Sequence, residues 1–210
     1  MKSFCVPKDW EGQTVVIIGG GPSVTQTQID LVSRTRGVPV IAINNAYLIA
    51  PWADVLYACD RVWWDWHYET VSRIYDGLKI TRDPYAKEKY PDLIWIEGEP
   101  HDQGLSKRQD SIVNGRIGGY QAINLAVNFG AKKILLIGFD MRNINGLSHW
   151  HGDHPNSQRP IWNDRIAHFK NMISDLEARG IEVINCTPGS ALDAFPMGDL
   201  ESELMEVNNK

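Results

Sequence analysis

A glycine-rich segment near the start of the chain constrains the fold most. A β-branched run at residues 14–18 leads into the sequence GGGPS, and a helical pattern follows over residues 25–33. Glycine lets the backbone turn tightly, so the pattern predicts a strand, a sharp turn and a helix. The turn consists of Gly19, Gly20, Gly21, Pro22 and Ser23.

Further apolar runs alternate with helical segments along the chain. Strands are predicted at residues 38–43, 55–58, 78–81, 93–96, 133–137 and 182–185, and further helices at 120–129 and 162–179. Short strand–helix connections of this kind predict an α/β fold. We expect residues 1–210 to form a single nucleotide-binding domain, with a Rossmann-like, doubly wound, mostly parallel sheet and helices on both faces.

Two stretches interrupt this alternation, at residues 83–116 and 138–160. Long loops in a compact domain usually serve function, so both are candidate lid or active-site insertions. The second is a long loop that holds three of the six histidines. A third irregular feature is the aromatic group at residues 63–68, whose spacing fits neither one helix face nor one strand face. It predicts either core packing under a loop or a platform for stacking a sugar or base.

Composition excludes several classes of protein. Hydrophobic residues make up 43% of the chain, enough for a packed core, and the net charge of −5 weighs against a role in coating nucleic acid. Because no apolar run approaches the length of a spanning helix, we expect a cytoplasmic protein with no membrane span. Cys5, Cys59 and Cys186 are scattered, so we expect reduced, buried and inert thiols.

The glycine turn has two interpretations. It could hold the phosphate or ribose of a nucleotide, because helix amides and the helix dipole favour negative charge. It could also be a structural turn in which Ser23 caps the helix. The sequence is not the dinucleotide fingerprint, since Val24 stands where the third glycine would be, and no P-loop lysine follows.

Several predicted strands end in polar residues that α/β proteins use for ligands. Parallel strands end at one edge of the sheet, so these side chains are expected to lie along a common line. Asparagine amides suit base and ribose edges because they both donate and accept hydrogen bonds, and aspartate can orient a hydroxyl group. The candidates are Asn44, Asn45, Asp60 and Asp140.

The histidine loop also has two interpretations. His149, His151, Asp153 and His154 fit the pattern HxHxDH, the metal-ligand motif of dinuclear zinc hydrolases. Such hydrolases need further ligands downstream, and His168 is the only later histidine. Without a metal, a histidine placed over a nucleotide site would act as a general base.

Several segments of the chain resemble motifs of the small bacterial sialyltransferases, in the same order. Their relatives include the motility-accessory sugar transferases and the 6-hydroxymethylpterin diphosphokinase-like proteins, which share the GxGPS turn. The resemblance rests on GGGPS, AINNAY, RIGGYQAINLAVNFGAKKILLIGFDM, the histidine loop and INCTPGSALDAF. It suits a bacterial or a bacteriophage-borne protein.

The resemblance implies roles for particular residues. The family's catalytic histidine lies in the loop after the GxD strand, which matches His154 best and His151 next. Asp60 stands where the family has a third asparagine contact to the nucleotide. The nucleotide-binding positions carried over are Gly19, Gly21, Pro22, Ser23, Asn44 or Asn45, Gly118 and Gly119, with Arg116 two residues before Gly118. Gly20, between the two glycines of the turn, is included in the predicted nucleotide site.

The resemblance therefore implies a glycosyltransferase that needs no metal or other cofactor. It would move a sugar from a nucleotide-sugar donor, CMP-linked by preference, to an acceptor hydroxyl. His154 would deprotonate the acceptor, while Arg116 or Arg142 balances charge on the departing phosphate, with Arg159 as a further candidate. Asp140 completes the predicted catalytic group. The acceptor is expected to be a glycan, or a modified nucleobase in a phage-borne protein, and the chain could form a homo-oligomer.

Three other functions remain open at this stage. A pterin diphosphokinase-like phosphotransferase would require magnesium. A hydrolase would bind zinc through His149, His151, Asp153 and His154 and use no nucleotide. A non-catalytic nucleotide-binding protein would bind the nucleotide without turnover.

Overall fold

The computed structural model describes residues 1–152 and 162–208. Its strands are β1 (Thr14–Ile18), β2 (Val40–Ile43), β3 (Val55–Tyr57), β4 (Leu78–Thr81), β5 (Ile94–Trp95), β6 (Glu97–Glu99), β7 (Ser111–Val113), β8 (Lys133–Ile137) and β9 (Glu182–Asn185). Its α-helices are α1 (Gln26–Arg34), α2 (Arg61–Ile74), α3 (Pro84–Lys89), α4 (Gly118–Asn128), α5 (Trp162–Phe169), α6 (Ile173–Ala178) and α7 (Leu200–Asn208). Short 3-10 helices lie at Asn44–Leu48 and Lys170–Met172.

In the described part of the chain, seven strands form one parallel sheet in the order β5-β4-β3-β2-β1-β8-β9. β1 pairs with β8 over its whole length, from Thr14 beside Lys133 to Ile18 beside Ile137. On its other side β1 pairs with β2. The chain order therefore reverses between β1 and β8, and α/β sheets bind ligands above such a reversal.

Helices cover both faces of this sheet. One hydrophobic core joins the sheet to α4, α5 and α6, and the other joins it to α1, α2, α3 and α7. The predicted α/β fold with a doubly wound, Rossmann-like sheet is confirmed. Among the described residues, no helix has both the length and the apolar character that crossing a bilayer requires.

Helix α4 is buried along nearly its whole length, although its sequence contains three amides. Gln121, Asn124 and Asn128 all lie in the interior. The Oδ1 atom of Asn124 accepts hydrogen bonds from the backbone amides of Ser106 (3.1 Å) and Val113 (2.9 Å). The amides therefore tie α4 to the segment that contains β7, so that its amino end is held in place over the sheet.

Residues 83–116 are more regular than the sequence suggested. They contain α3 and β5, which extends the main sheet, while β6 and β7 pair in a separate two-stranded parallel sheet. The helix predicted over residues 162–179 is instead divided into α5, a 3-10 turn and α6. Helix α7 was not predicted.

The aromatic group at residues 63–68 belongs to helix α2, which sequence reasoning also missed. Trp63 and Trp64 are both buried, whereas Trp66 remains 45% exposed. The indole of Trp63 donates to Asn45 at 2.7 Å, and that of Trp64 donates to the carbonyl of Ala58 at 3.0 Å. Of the two interpretations, core packing therefore describes Trp63 and Trp64.

The cysteines only partly match expectation. Cys186 is buried and Cys59 is half-buried, but Cys5 is exposed, so the expectation of three buried thiols is wrong for Cys5. All three are free thiols in the structure. Burial raises the pKa of Cys186 to about 12 and that of Cys59 still further, so both stay protonated and unreactive at neutral pH.

Replacing Asn124 with alanine should destabilise the fold. The amides of Ser106 and Val113 would lose their acceptor inside the protein, and each unsatisfied group is expected to cost about 1–3 kcal/mol. Urea unfolding should therefore show a free energy of unfolding lower by about 3 kcal/mol. Gln26→Ala, which removes an amide bonded only to Asp30 on an exposed helix surface, is the control. A loss no larger than the control's would contradict this role.

Candidate functional site

A cavity of about 540 Å³ lies above the carboxyl ends of the central strands. Its wall contains the glycine turn, the polar ends of β2 and β3, the end of β4, the amino end of α4, the loop after β8 and the first turns of α5. The charged and histidine side chains in this wall are Asp60, Arg82, Asp83, Arg116, Asp140, His149, His151 and Arg165. The sequence therefore brings three cations, three carboxylates and two imidazoles to one site.

The glycine turn already uses most of its backbone amides within the protein. The amide of Gly19 donates to the Ile137 carbonyl at 2.8 Å, and that of Gly21 donates to the Gly138 carbonyl at 2.9 Å. The Ser23 amide and hydroxyl both donate to Asp140 Oδ2, at 3.4 and 2.9 Å. The turn thus fastens β1 to the loop after β8 and offers few amides to an anion.

Ser23 does not cap helix α1, contrary to one of the two predictions for this turn. The cap is Thr25, whose side chain accepts from the amide of Gln28 while the Gln28 side chain accepts from the amide of Thr25. This reciprocal pair satisfies the helix start internally. Pro22 and Ser23 are also absent from the cavity wall described above, whereas the three glycines are in it.

The amino end of α4 is the more open helix start in the cavity. Its cap residue, Ile117, has no side chain that can accept a hydrogen bond, and Gly118 and Gly119 lie in the wall. In the described structure no acceptor meets the amides of these two glycines. Uncapped amides together with the helix dipole favour an anion at this end.

Arg116 lies two residues before this helix start, and Arg165 on α5 belongs to the same cavity wall. Arg116 takes a left-handed backbone conformation, φ 59°, and its Nε donates to Asp102 Oδ2 at 2.7 Å. This hydrogen bond lowers the pKa of Asp102 and raises that of Arg116. Arg165 on α5 is half-buried, and no described carboxylate lies within ion-pair distance of it. Arg165 therefore presents its positive charge to the cavity, whereas the charge of Arg116 is balanced by Asp102.

The histidine loop folds over the glycine turn. The amide of Trp150 donates to the Gly20 carbonyl at 3.0 Å, and the rings of His149 and His151 stack with centroids 5.2 Å apart. Both imidazoles line the cavity. Asp153 and His154, like Arg159, lie outside the described residues, so the preference for His154 as the base stays a prediction.

The other end of the cavity holds the predicted residues of β2 and β3. Asn44, with φ 50°, and Asp60 both lie in the wall. Asn45 is also there, but its Oδ1 is occupied by the indole of Trp63. Asn45 therefore positions helix α2, and of the two asparagines Asn44 is the better candidate for a ligand contact.

A polar relay that the sequence did not reveal fixes Arg82 at this end. The Tyr57 hydroxyl donates to Gln121 Oε1 at 2.7 Å, and Gln121 Nε2 donates to the Asn114 carbonyl at 2.6 Å. The Arg82 guanidinium donates to Asn114 Oδ1. No described carboxylate pairs with Arg82, which therefore presents its charge to the cavity.

The structure thus gathers most of the predicted residues and adds others. Arg142 is exposed and does not line the cavity. Sequence reasoning missed Arg82, Asn114, Gln121, Trp162 and Arg165, which line it. The position of Arg82 directly after a predicted strand was the one available signal, because strand ends are where ligand-binding side chains collect.

The metal interpretation of the loop concerns His149, His151, Asp153 and His154. Within residues 1–152 and 162–208, no three His, Cys, Asp or Glu side chains are grouped closely enough to hold a metal ion. Two of the four motif residues, Asp153 and His154, lie outside those ranges.

Comparison with known proteins gives one structural relationship. No protein-family model matches the chain, and no curated protein matches it in sequence. Among solved structures it is similar to a Maf glycosyltransferase from Magnetospirillum magneticum AMB-1, with a TM-score of 0.65 and 14% sequence identity. The match covers 96% of this chain and 35% of that protein, so this chain spans about a third of its length. At this identity the likeness shows the fold alone.

Replacing Gly21 with alanine should disrupt the site. A Cβ atom there would overlap Asp140 Oδ2 and lie 2.6 Å from the Gly138 carbonyl oxygen, in backbone that cannot easily move. Overpacking of this kind should lower the free energy of unfolding by about 3 kcal/mol. In Gly20→Ala, the added Cβ would approach His149 Cδ2 at 3.2 Å, so thermal unfolding should show a smaller loss. Equal losses in the two variants would contradict the tight contact at Gly21.

Proposed function

We propose that this protein is a glycosyltransferase that takes a sugar from a nucleotide-sugar donor bound in the cavity. The observation that carries the proposal is the composition of the cavity wall at the sheet reversal. A helix start without a side-chain cap, Arg165 with no carboxylate partner among the described residues, and two imidazoles border one space of about 540 Å³. That volume is in the range of small-molecule sites. The fold shared with the Maf glycosyltransferase supports the same class.

The donor phosphate is best accommodated at the amino end of α4. The amides of Gly118 and Gly119 can donate to phosphate oxygens, and Arg165 can balance the charge that develops as the sugar leaves. Arg116 contributes less, because Asp102 neutralises it. This arrangement assigns to Arg165 the role that the sequence suggested for Arg116 or Arg142.

The nucleoside would extend toward the ends of β2, β3 and β4. Asn44 and Asp60 supply acceptors and Arg82 supplies donors, a set that suits the edge of a nucleobase. The resemblance of the sequence to sialyltransferases makes a CMP-linked donor the first choice.

A histidine of the loop would remove the proton from the acceptor hydroxyl. His151 lies in the cavity wall beside Gly20 of the glycine turn, and His149 stacks against it. A base on one side and charge stabilisation on the other are what displacement of a nucleoside phosphate requires. His154 is the alternative base from the resemblance alone.

Nucleotide binding tests the proposal directly. Isothermal calorimetry with CMP, UDP, GDP and ATP should show selective binding of one nucleotide, and EDTA should leave its affinity unchanged. Stoichiometric zinc without any nucleotide response would instead support the hydrolase. Binding that requires magnesium would favour the phosphotransferase.

Substitution of the loop histidines tests catalysis. His151→Ala should lower kcat by about 10²–10⁴-fold, because that is what loss of a general base usually does, while donor affinity stays nearly unchanged. His154→Ala, assayed in parallel, compares the two candidates. His101→Ala is the control, since His101 is exposed, is bonded to Glu99 and lies outside the cavity wall. Full activity in both loop variants would overturn the assignment of the base.

A further inference from the structure

Asp140 has an unusual environment for a carboxylate at the end of a strand. Its side chain is almost entirely buried, with 1% exposure, yet it lines the cavity. Oδ2 accepts two hydrogen bonds from Ser23, whereas Oδ1 is buried and has no partner among the described residues. Half of the carboxylate is therefore anchored, and the other half is left without a donor.

The fold alone does not account for the second oxygen. An asparagine would accept the same bonds from Ser23 through its single oxygen and would avoid burying a charge. Burial raises the pKa of Asp140 above its usual value, because the charged carboxylate loses contact with water. Arg142 attracts this carboxylate weakly, because its own side chain is exposed and forms no ion pair with Asp140. The free oxygen thus carries an energetic penalty that a bound ligand would relieve.

The chemistry of the surrounding turn indicates what that ligand group is. A carboxylate is an acceptor and repels phosphate, and the amides of Gly19, Gly21 and Ser23 are already used inside the protein. A phosphate at this turn would find a negative charge and few donors. A neutral hydroxyl group would instead donate to Oδ1 and meet no repulsion.

We propose that Asp140 Oδ1 accepts a hydrogen bond from a hydroxyl group of the bound nucleotide sugar, on its ribose or on its transferred sugar. The glycine turn then selects a hydroxyl, and the phosphate binds at the amino end of α4. The two positions adjoin, because Gly119 packs against the ring of Phe139, the residue before Asp140. This inference rests on the proposed function, since it assigns a subsite of the same cavity.

Calorimetry with deoxygenated ligands tests the subsite. The wild-type protein should bind the preferred ribonucleotide about 10–100-fold more tightly than its 2′-deoxy or 3′-deoxy analogue, as expected for a hydrogen bond to a charged acceptor. In Asp140→Asn this preference should fall to less than about threefold, because the neutral side chain places an NH2 group where the charged Oδ1 acceptor was, while its single oxygen keeps the bonds from Ser23.

A matched control separates this effect from a general loss of structure. Asp54 lies at the opposite edge of the sheet and accepts from the Val40 amide at 2.7 Å, so Asp54→Asn changes a carboxylate that also bonds to backbone. It should keep the full preference. Asp140→Asn should not lower the melting temperature at pH 7. Burial raises the folded-state pKa of Asp140, so the charged carboxylate destabilises the folded state at pH values above its unfolded-state pKa. The neutral amide of asparagine removes this destabilisation.

These binding measurements distinguish failure of the hydroxyl subsite from failure of the proposed glycosyltransferase function. If Asp140→Asn removes only the preference for the ribonucleotide over its deoxyribose analogues, the hydroxyl group belongs to the ribose. If deoxyribose analogues bind normally but Asp140→Asn removes the advantage of the nucleotide sugar over the bare nucleotide, the hydroxyl belongs to the transferred sugar. If a nucleotide binds but neither preference depends on Asp140, the hydroxyl subsite is overturned and the proposed function survives. Failure of every nucleotide and nucleotide sugar to bind overturns both.

Discussion

The pairing of β1 with β8 is the constraint on which the rest of the site depends. The two strands run in register for five residue pairs, and both then turn away at glycines. A Cβ atom on Gly19 would lie 2.6 Å from the Gly138 carbonyl oxygen. The backbone segments after β1 and β8 can therefore approach this closely only because residue 19 has no side chain. The close contact brings Ser23 to Asp140 across 117 residues of sequence. The close contact between the ends of β1 and β8 therefore positions both the glycine turn and the Asp140 carboxylate at the cavity.

Helix α4 supplies the second half of the site by a different means. Its amides, Gln121 and Asn124, bond to the backbone of the neighbouring segment, which fixes the helix more specifically than apolar packing alone would. Its glycine start then faces the cavity without a side-chain cap. The interior of the helix is thus fully bonded, whereas its amino end keeps its hydrogen-bonding capacity for a ligand.

The sequence predicted the sheet better than the details of the site. The runs at 78–81, 133–137 and 182–185 coincide with strands because a buried parallel strand is a continuous apolar run that can be recognised locally. Helix α2 escaped prediction because Trp63 and Trp64, adjacent in sequence, are both buried, which breaks the expected periodicity. The role of Ser23 could not be read from its neighbours, since its partner Asp140 is remote in the chain. Arg165 likewise joins the cavity only through the packing of α5.

The relay from Tyr57 to Arg82 couples the far end of the cavity to the core. Each member is held by the next, from the Tyr57 hydroxyl through Gln121 to Asn114 and the guanidinium. Because the order of donors and acceptors is fixed, replacing one member by a residue of opposite bonding character leaves a neighbour unsatisfied. Descendants of this chain that acquire a new ligand preference at this end are therefore expected to change at paired positions. Covariation between the core and the cavity wall would be the evolutionary trace of that coupling.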